Sequence, residues 1–207
     1  MFGIDPAELQ ELRAVEAELN ERWPETKIEP SLDRIEALTE LLAEPQRTYP
    51  VIHVAGTNGK TSTSRMVDAL LTKHGLRTGR YTSPHLQLAT ERISIDSAPI
   101  SPRAYVEAYR DIAPYVSMVD SRSDIRMSKF EVLTGMAFAA FADAPVEAAV
   151  LEVGLGGSWD ATNVADAKVS VICPVAMDHA DYLGDDLESI GREKAGVIKP
   201  GSIAVVA

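Results

Sequence analysis

The sequence is poor in cysteine and in positive charge. Its 207 residues include one cysteine, Cys173, so no disulfide can form within the chain. Lys and Arg number 20 against 31 Asp and Glu, which gives a formal net charge of −11. This balance argues against a nonspecific surface for nucleic acid or for anionic membranes, because both need clustered positive charge. It does not oppose nucleotide binding, since a local loop and metal ions can hold phosphates.

Long apolar runs are also missing. No stretch approaches the ~20 uninterrupted apolar residues that a membrane span needs. The N-terminal region is acidic and lacks a basic segment followed by an apolar core. We therefore expect no membrane partner, and we expect the protein to be cytoplasmic. Hydrophobic content of 45% and charged content of 25% are ordinary for a globular protein.

One stretch, residues 51–62 (VIHVAGTNGKTS), has the pattern of a phosphate-binding loop. A short apolar run predicts a buried strand, a turn with two glycines follows, and an amphipathic helical pattern begins. In such a loop, backbone amides and a helix N-terminus surround phosphates, Lys60 adds a charge, and the Thr61 hydroxyl can bind Mg²⁺. The first glycine of G-x-x-x-x-G-K-[ST] would stand at Val54, so the match is partial. The alternative is a turn that merely joins strand to helix.

Helices and strands are predicted to alternate along the chain. Apolar periodicity predicts helices over 5–22, 32–42, 60–74, 101–112, 128–142 and 187–198, and strands over 51–55, 78–82, 91–95, 146–153, 168–173 and 202–207. Continuous apolar strands joined by helices predict an α/β fold, a mostly parallel sheet with helices on both faces. Residues 1–45 are expected to form a helical lead-in over one main domain. Polar residues 117–127 predict an exposed loop.

Ligands of such sheets bind beyond the carboxyl ends of the strands. The predicted carboxyl ends carry residues 56–61, Thr82–Ser83, Glu152 and the residues after Cys173. The polar chemistry is therefore expected along one edge of the sheet.

Several stretches in order resemble one family, the folylpolyglutamate synthase/dihydrofolate synthase family of the Mur ligase superfamily. They are HVAGTNGKT (53–61), TSPHL (82–86), FEVLT (130–134), LEVGLGG (151–157), DATN (160–163), DH (178–179) and EKAGVIKPG (193–201). The resemblance covers only the N-terminal part of the family's ATP-binding domain. The family's remaining sheet and its C-terminal glutamate-ligase domain have no counterpart in these residues. We therefore expect turnover only if a separate C-terminal half supplies the remainder.

The resemblance implies a P-loop, Mur-ligase-like domain and an ATP-dependent amide ligase. In the family, a folate or dihydropteroate carboxylate attacks the γ-phosphate of ATP, and L-glutamate captures the acyl phosphate. The implied cofactors are ATP and Mg²⁺, and the implied partners are small-molecule substrates. Such phosphoryl transfer brings negative groups together, so it depends on cations and fixed donors.

The resemblance also implies the site residues. For ATP they are Gly56, Thr57, Asn58, Gly59, Lys60, Thr61 and Ser62. For Mg²⁺ they are Ser83, Glu152 and His179, with Thr61 as a further candidate. For the folate or pteroate they are Ile28, Glu29, Pro30, Ser31, Ser128, Lys129, Phe130, Glu131, Trp159, Asp160 and Ala161. Lys60 and Lys194 are the implied catalytic residues, the latter as a carbamate.

Each of these residues also has a simpler interpretation. Glu152 can be a strand-end carboxylate paired with a base, His179 a loop histidine, and Lys194 a charged helix residue. Phe130 and Trp159 can be core aromatics. The family usually has arginine where this sequence has Ser158, and a serine cannot carry that charge. Two other functions therefore stay open, a Mur-type ligase for another carboxylate and a non-catalytic nucleotide- or pterin-binding remnant.

Overall fold

The computed structural model describes residues 5–23, 30–177 and 180–207. Their strands form one seven-stranded sheet in the order β4-β3-β2-β5-β1-β6-β7. The strands are β1 (Val51–Ala55), β2 (Thr78–Tyr81), β3 (Ile93–Ile95), β4 (Ala98–Pro99), β5 (Ala148–Glu152), β6 (Ala167–Ile172) and β7 (Ile203–Val206). Strands β2, β5, β1, β6 and β7 run parallel, whereas β3 and β4 pair antiparallel at one edge.

The α-helices cover this sheet and lead into it. They are α1 (Pro6–Asn20), α2 (Asp33–Leu41), α3 (Lys60–Lys73), α4 (Pro102–Asp120), α5 (Lys129–Asp143), α6 (Ala180–Leu183) and α7 (Leu187–Ala195). Short 3₁₀ turns cover Pro45–Arg47, Ala89–Arg92 and Ala161–Val164. Within the described ranges, no helix is long and apolar enough to cross a bilayer.

Alternation along β5 separates the two faces of the sheet, because successive strand residues point to opposite sides. Val150 packs with Val67 and Leu71 of α3. Its neighbour Leu151 belongs instead to the large core that contains α1, α2, α4 and α5. Helices therefore lie on both faces, and the predicted fold class, a mostly parallel sheet with helices on both faces, is confirmed.

The lead-in helix α1 packs on α4. Leu12 and Leu19 are buried in the main core. The Tyr105 hydroxyl of α4 donates to Glu16 Oε1 at 2.6 Å. Arg22 Nη1, just after α1, contacts Asp120 Oδ2 at 3.0 Å. These contacts attach the first helix to the same core as the sheet.

Two expectations differ from the structure. The predicted loop over 117–127 is wrong in its first part, because α4 continues to Asp120 with Val119 buried on its apolar face. At the other end of that segment Met127 is fully buried. The helical pattern of α3 is confirmed, yet Met66 and Leu70 are exposed. The buried polar residues of that helix are Ser64 and Asp68.

Candidate active site

Glycine is required at two points of the phosphate loop between β1 and α3. Gly56 has φ +141°, and a Cβ there would come within 2.6 Å of the Cys173 Cβ. Gly59 has φ +84° and precedes the first residue of α3, Lys60. Left-handed backbone of this kind favours glycine, and the close approach at Gly56 leaves no space for a side chain. The loop therefore turns sharply enough to present the start of α3 at the edge of the sheet.

The loop is held against the segment after β6. The Thr57 and Asn58 amides donate to the Pro174 carbonyl at 3.0 and 3.2 Å. Lys60 Nζ donates to the Thr57 carbonyl at 3.3 Å. Two of the loop amides expected to surround phosphate are therefore engaged with the protein here. The amides of Lys60, Thr61 and Ser62 lie in the first helical turn, where no intrahelical carbonyl can reach them.

Glu152, at the carboxyl end of β5, faces the beginning of α3. Its Oε1 accepts a hydrogen bond from Thr61 Oγ1 at 2.7 Å. The side chain is buried, and Oε2 has no hydrogen-bond partner among the described residues. Burial raises the pKa of Glu152, while the Thr61 hydrogen bond, the Lys60 charge and the Ser83 amide oppose this rise. An unpartnered buried carboxylate oxygen is costly, so this atom is suited to a cation.

The donors around Glu152 fit a hard divalent cation. Thr61 and Ser83 are hydroxyl residues that follow β1 and β2, the strands on either side of β5, and Glu152 ends β5. Mg²⁺ prefers oxygen ligands, and the free Oε2 provides one. His179 lies outside the described residues. Within the described ranges, no group of three or more His, Cys, Asp or Glu side chains could hold a metal.

The loop after β5 is fixed by Asp160. Its Oδ2 accepts from the amides of Gly154 and Leu155 at 3.0 and 2.9 Å. Its Oδ1 accepts from the amide and the hydroxyl of Thr162. Burial raises the pKa of Asp160, and these hydrogen bonds oppose that rise. The carboxylate predicted to bind folate is therefore already engaged in holding the backbone next to Glu152.

Phe130 and Trp159 lie on glycines of that same loop. The Phe130 ring packs where a Cβ of Gly154 would stand, and its centroid is 5.8 Å from that of Tyr81. Trp159 packs in the same way on Gly156. Both aromatic side chains are half-buried. The structure thus brings two of the predicted folate residues to the loop beside Glu152, with part of each ring accessible.

The other predicted folate residues make structural contacts. Ser128 and Glu131 form a capping box at the start of α5. Arg34 Nε donates to Glu131 Oε1 at 3.0 Å. Lys129 Nζ donates to Asn20 Oδ1 at 2.8 Å. Ser31 Oγ accepts from the Asp33 amide at 3.0 Å, Pro30 is exposed, and Ala161 is buried. Ile28 and Glu29 lie outside the described residues.

Lys194 is buried in α7, with 3% of its surface exposed. The adjacent Glu193 carboxylate accepts hydrogen bonds from the Ser158 amide at 2.9 Å and from the Ser158 hydroxyl. A Cβ on Gly157 would meet the Glu193 carbonyl oxygen at 2.5 Å. The loop that follows Glu152 is therefore packed directly on the helix that carries Lys194. Ser158 therefore contacts the carboxylate of Glu193, a residue of the protein itself.

Sequence reasoning missed two charged residues of α3. Asp68 is fully buried, and its Oδ2 contacts Arg80 Nη1 of β2 at 2.9 Å. Arg65 is exposed and follows Thr61 by one helical turn. The signal for Arg65 was its spacing, because a residue four positions after Thr61 lies on the same side of the helix. Asp68 could be recognised only from its long-range partner.

Comparison with known proteins supports this fold. Residues 54–206 match the family model of the Mur ligase middle domain. The chain is 58% identical over 214 residues to the dihydrofolate synthase/folylpolyglutamate synthase of Mycobacterium tuberculosis, an alignment covering 97% of this chain and 44% of that protein.

Solved structures of folylpolyglutamate synthases also match this chain. A Mycobacterium tuberculosis folylpolyglutamate synthase complexed with ADP matches with a TM-score of 0.89 and 58% identity, over 96% of this chain and 45% of that one. A folylpolyglutamate synthase complex with AMPPCP and folate matches with a TM-score of 0.88 and 35% identity, over 94% and 48%. The chain spans less than half the length of these relatives. The resemblance seen in the sequence is confirmed over their N-terminal part, and the chain belongs to the Mur ligase middle domain family.

Proposed function

We propose that the chain supplies the ATP-binding part of an ATP-dependent ligase that joins L-glutamate to a folate or dihydropteroate carboxylate. The observation that carries this proposal is the meeting of Lys60, Thr61, Ser83 and Glu152 at one edge of the sheet. The buried Oε2 of Glu152, without a partner among the described residues, points to a cation there. Relatives described as complexes with ADP, and with AMPPCP and folate, support nucleotide and folate as the ligands.

The proposed reaction has two steps. A carboxylate oxygen of the folate or pteroate attacks the γ-phosphorus of ATP, the bond to the bridging oxygen breaks, and ADP leaves. The amine of glutamate then attacks the acyl carbon of the acyl phosphate, inorganic phosphate leaves, and the nitrogen loses a proton. The first step accumulates negative charge, so stabilisation comes mainly from positioned cations and donors.

Each residue has a physical role in this scheme. Lys60 stabilises the β- and γ-phosphates as a point charge, and the first-turn amides of α3 donate to their oxygens. Phe130 and Trp159 provide flat apolar surfaces for a pterin ring. Lys194 is proposed as a carbamate, which would convert an ammonium into an anionic oxygen donor. The half-buried lining next to Glu152 would exclude water from the acyl phosphate.

Thr61, Ser83 and Glu152 are the described residues that would hold Mg²⁺, with His179 as a predicted further ligand. Mg²⁺, when bound, supplies positive charge to the phosphate oxygens. We place the protein in the cytoplasm, in keeping with its substrates. A C-terminal half like that of the relatives would complete the glutamate site.

Nucleotide binding tests the proposal directly. With Mg²⁺ present, we expect calorimetric titration to show ADP binding, and Lys60→Ala to weaken it roughly 10- to 100-fold, the loss of a hydrogen bond to a charged group. Lys73→Ala, at the exposed far end of the same helix, is the matched control and should bind as the unaltered chain does.

The outcomes separate the competing functions. Equal affinity of the Lys60→Ala and Lys73→Ala variants for ADP would contradict the phosphate-loop assignment. Release of ADP from ATP that depends on both dihydropteroate and glutamate, after addition of a C-terminal half, would support the ligase. Binding without such release would favour the non-catalytic alternative.

A further inference from the structure

Helix α3 carries a second exposed cation one turn beyond Thr61. Arg65 follows Thr61 at the four-residue spacing that places two side chains on the same side of a helix. Thr61 itself contacts Glu152. Within the described ranges, Arg65 makes no ion pair. Its guanidinium is therefore available to an anion that comes from outside the protein.

Strand register shows which groups lie below this part of α3. Arg80 of β2 pairs with Val150 of β5, and Glu152 follows Val150 by two residues. Because side chains alternate along a strand, Arg80, Val150 and Glu152 share one face. That face is the one covered by α3, since Arg80 contacts Asp68 of α3.

A second cation lies at one end of this row. Arg65 precedes Asp68 by three residues, which places the two side chains on one side of α3, and Asp68 contacts Arg80. Burial lowers the pKa of Arg80, and the charge of Arg65 adds to this lowering. Asp68, by contrast, is fully used by Arg80 and by the Thr78 hydroxyl at 2.6 Å. Arg65 thus lies near another cation, Arg80, and the nearby carboxylate of Asp68 is already committed. An added anion at this point would relieve the repulsion between like charges.

The sheet order shows which strands lie on the Glu152 side of the phosphate loop. The loop follows β1, Glu152 ends the neighbouring β5, and Ser83 follows β2 beyond it. A phosphate bound beside Thr61 and Glu152 would therefore be within reach of Arg65, which extends from the same side of α3 as Thr61. We assign it as the phosphate to be transferred in the proposed reaction, because Glu152 and Ser83, which would hold Mg²⁺, lie at the carboxyl ends of β5 and β2.

We propose that Arg65 binds the terminal phosphate of a nucleoside triphosphate, the group transferred in the ligase reaction. The inference rests on the proposed function. A guanidinium is suited to this task because its planar fork can donate two parallel hydrogen bonds to phosphate oxygens. Lys60, in contrast, is assigned to the β-phosphate as well as the γ-phosphate, so it acts on the diphosphate and the triphosphate alike. Arg65 therefore distinguishes a triphosphate from a diphosphate.

The test compares two nucleotides on the intact 207-residue chain with Mg²⁺. We expect Arg65→Gln to weaken the binding of AMPPCP, which has a third phosphate group, roughly 10- to 100-fold, and to change ADP binding less than twofold. Arg65→Lys should recover part of the AMPPCP affinity, because it restores charge without the fork. Lys73→Gln on the same helix removes the same charge far from the loop and should change neither affinity.

The outcomes are distinguishable. Equal losses for AMPPCP and ADP in Arg65→Gln would overturn the inference, because they would mean a general effect of charge. Unchanged AMPPCP affinity would overturn it as well. Both results leave the proposed function intact as long as Lys60→Ala weakens ADP binding. Failure of the unaltered chain to bind either nucleotide would overturn the proposed function and this inference with it.

Discussion

His53 shows how a single buried residue supports the loop next to Glu152. It lies in β1 and is fully buried, with Nε2 2.7 Å from Thr162 Oγ1. Because that hydroxyl donates its proton to Asp160, His53 Nε2 must carry the proton of this hydrogen bond. Burial, followed by the charge of Lys199, lowers the pKa of His53 to about 3. The imidazole is therefore neutral in the folded protein throughout the physiological range.

This neutral histidine predicts a loss of stability in acid. Since the pKa of His53 is about 3 when folded and 6.5 as a free side chain, the unfolded chain binds a proton first as pH falls. The free energy of unfolding should therefore fall between pH 6.5 and 3, by up to about 1.4 kcal/mol per pH unit from this group. The measurement is urea unfolding at several pH values.

The histidine contribution can be isolated with two variants. His53→Gln keeps a side-chain N–H donor but does not titrate, so its unfolding free energy should depend less on pH. His74→Gln, at the exposed end of α3, should retain the pH dependence of the unaltered chain. If His53→Gln and His74→Gln show the same pH dependence, His53 is not the titrating group.

At the residue scale, the sequence predicted the side chains of the candidate site but not the contacts that hold the neighbouring loop in place. Lys60, Thr61 and Glu152 were predicted from a local motif and from family resemblance, and the structure brings them together. The contact between Ser158 and Glu193 joins residues 35 positions apart. No local pattern indicates such a partner, so the effect of replacing the family's arginine could not be predicted from the sequence.

Among the elements, α3 and β2 are joined by a buried polar network. Asp68 contacts Arg80 at 2.9 Å, with side-chain exposures of 1% and 9%. Arg80 Nη2 also donates to Ser94 Oγ at 2.8 Å. Since α3 begins at Lys60 and β2 leads to Ser83, this network holds the two elements that approach Glu152 from either side. A buried pair of this kind fixes geometry more than it adds stability.

Removing one partner of this pair should be costly. Asp68→Leu leaves the Arg80 guanidinium buried without its carboxylate, which costs roughly 3–5 kcal/mol. Asp68→Leu combined with Arg80→Met replaces the pair by apolar groups and should recover most of that loss. Denaturant unfolding of the single variants and the double variant measures the coupling. A double variant no more stable than Asp68→Leu would contradict a compensated pair.

The same network explains what the periodicity of α3 could not predict. Four apolar residues recur at helical spacing, yet Val67 and Leu71 pack on the sheet while Met66 and Leu70 stay exposed. The apolar pattern predicted the helix itself, but Asp68 with its distant partner determines which side is buried. Element type and order were thus predictable, whereas the rotation of a helix depended on a long-range ion pair.

On the scale of the whole molecule, the sheet formed by the described residues has an exposed apolar strand at one edge. All four residues of β7 are exposed, including Ile203, Val205 and Val206 at 65%, 50% and 66%. β7 pairs with β6 on one side, and within the described ranges its other edge pairs with no strand. Unpaired edges with apolar side chains are templates for pairing between chains. The net charge of −11 opposes such contact only through general repulsion.

The 207-residue chain should therefore self-associate through β7 as its concentration rises. Val205→Lys places a charge on this strand, and charged side chains on edge strands oppose pairing between chains. We therefore expect the mass of this variant from light scattering to stay close to 22.4 kDa at concentrations where the mass of the unaltered chain has increased. Met118→Lys adds the same charge at an exposed apolar position of α4 and should associate like the unaltered chain, because it leaves the strand edge unchanged. Light scattering after size-exclusion chromatography measures this. Equal behaviour of the two variants would mean that general charge, and not the open edge, governs association.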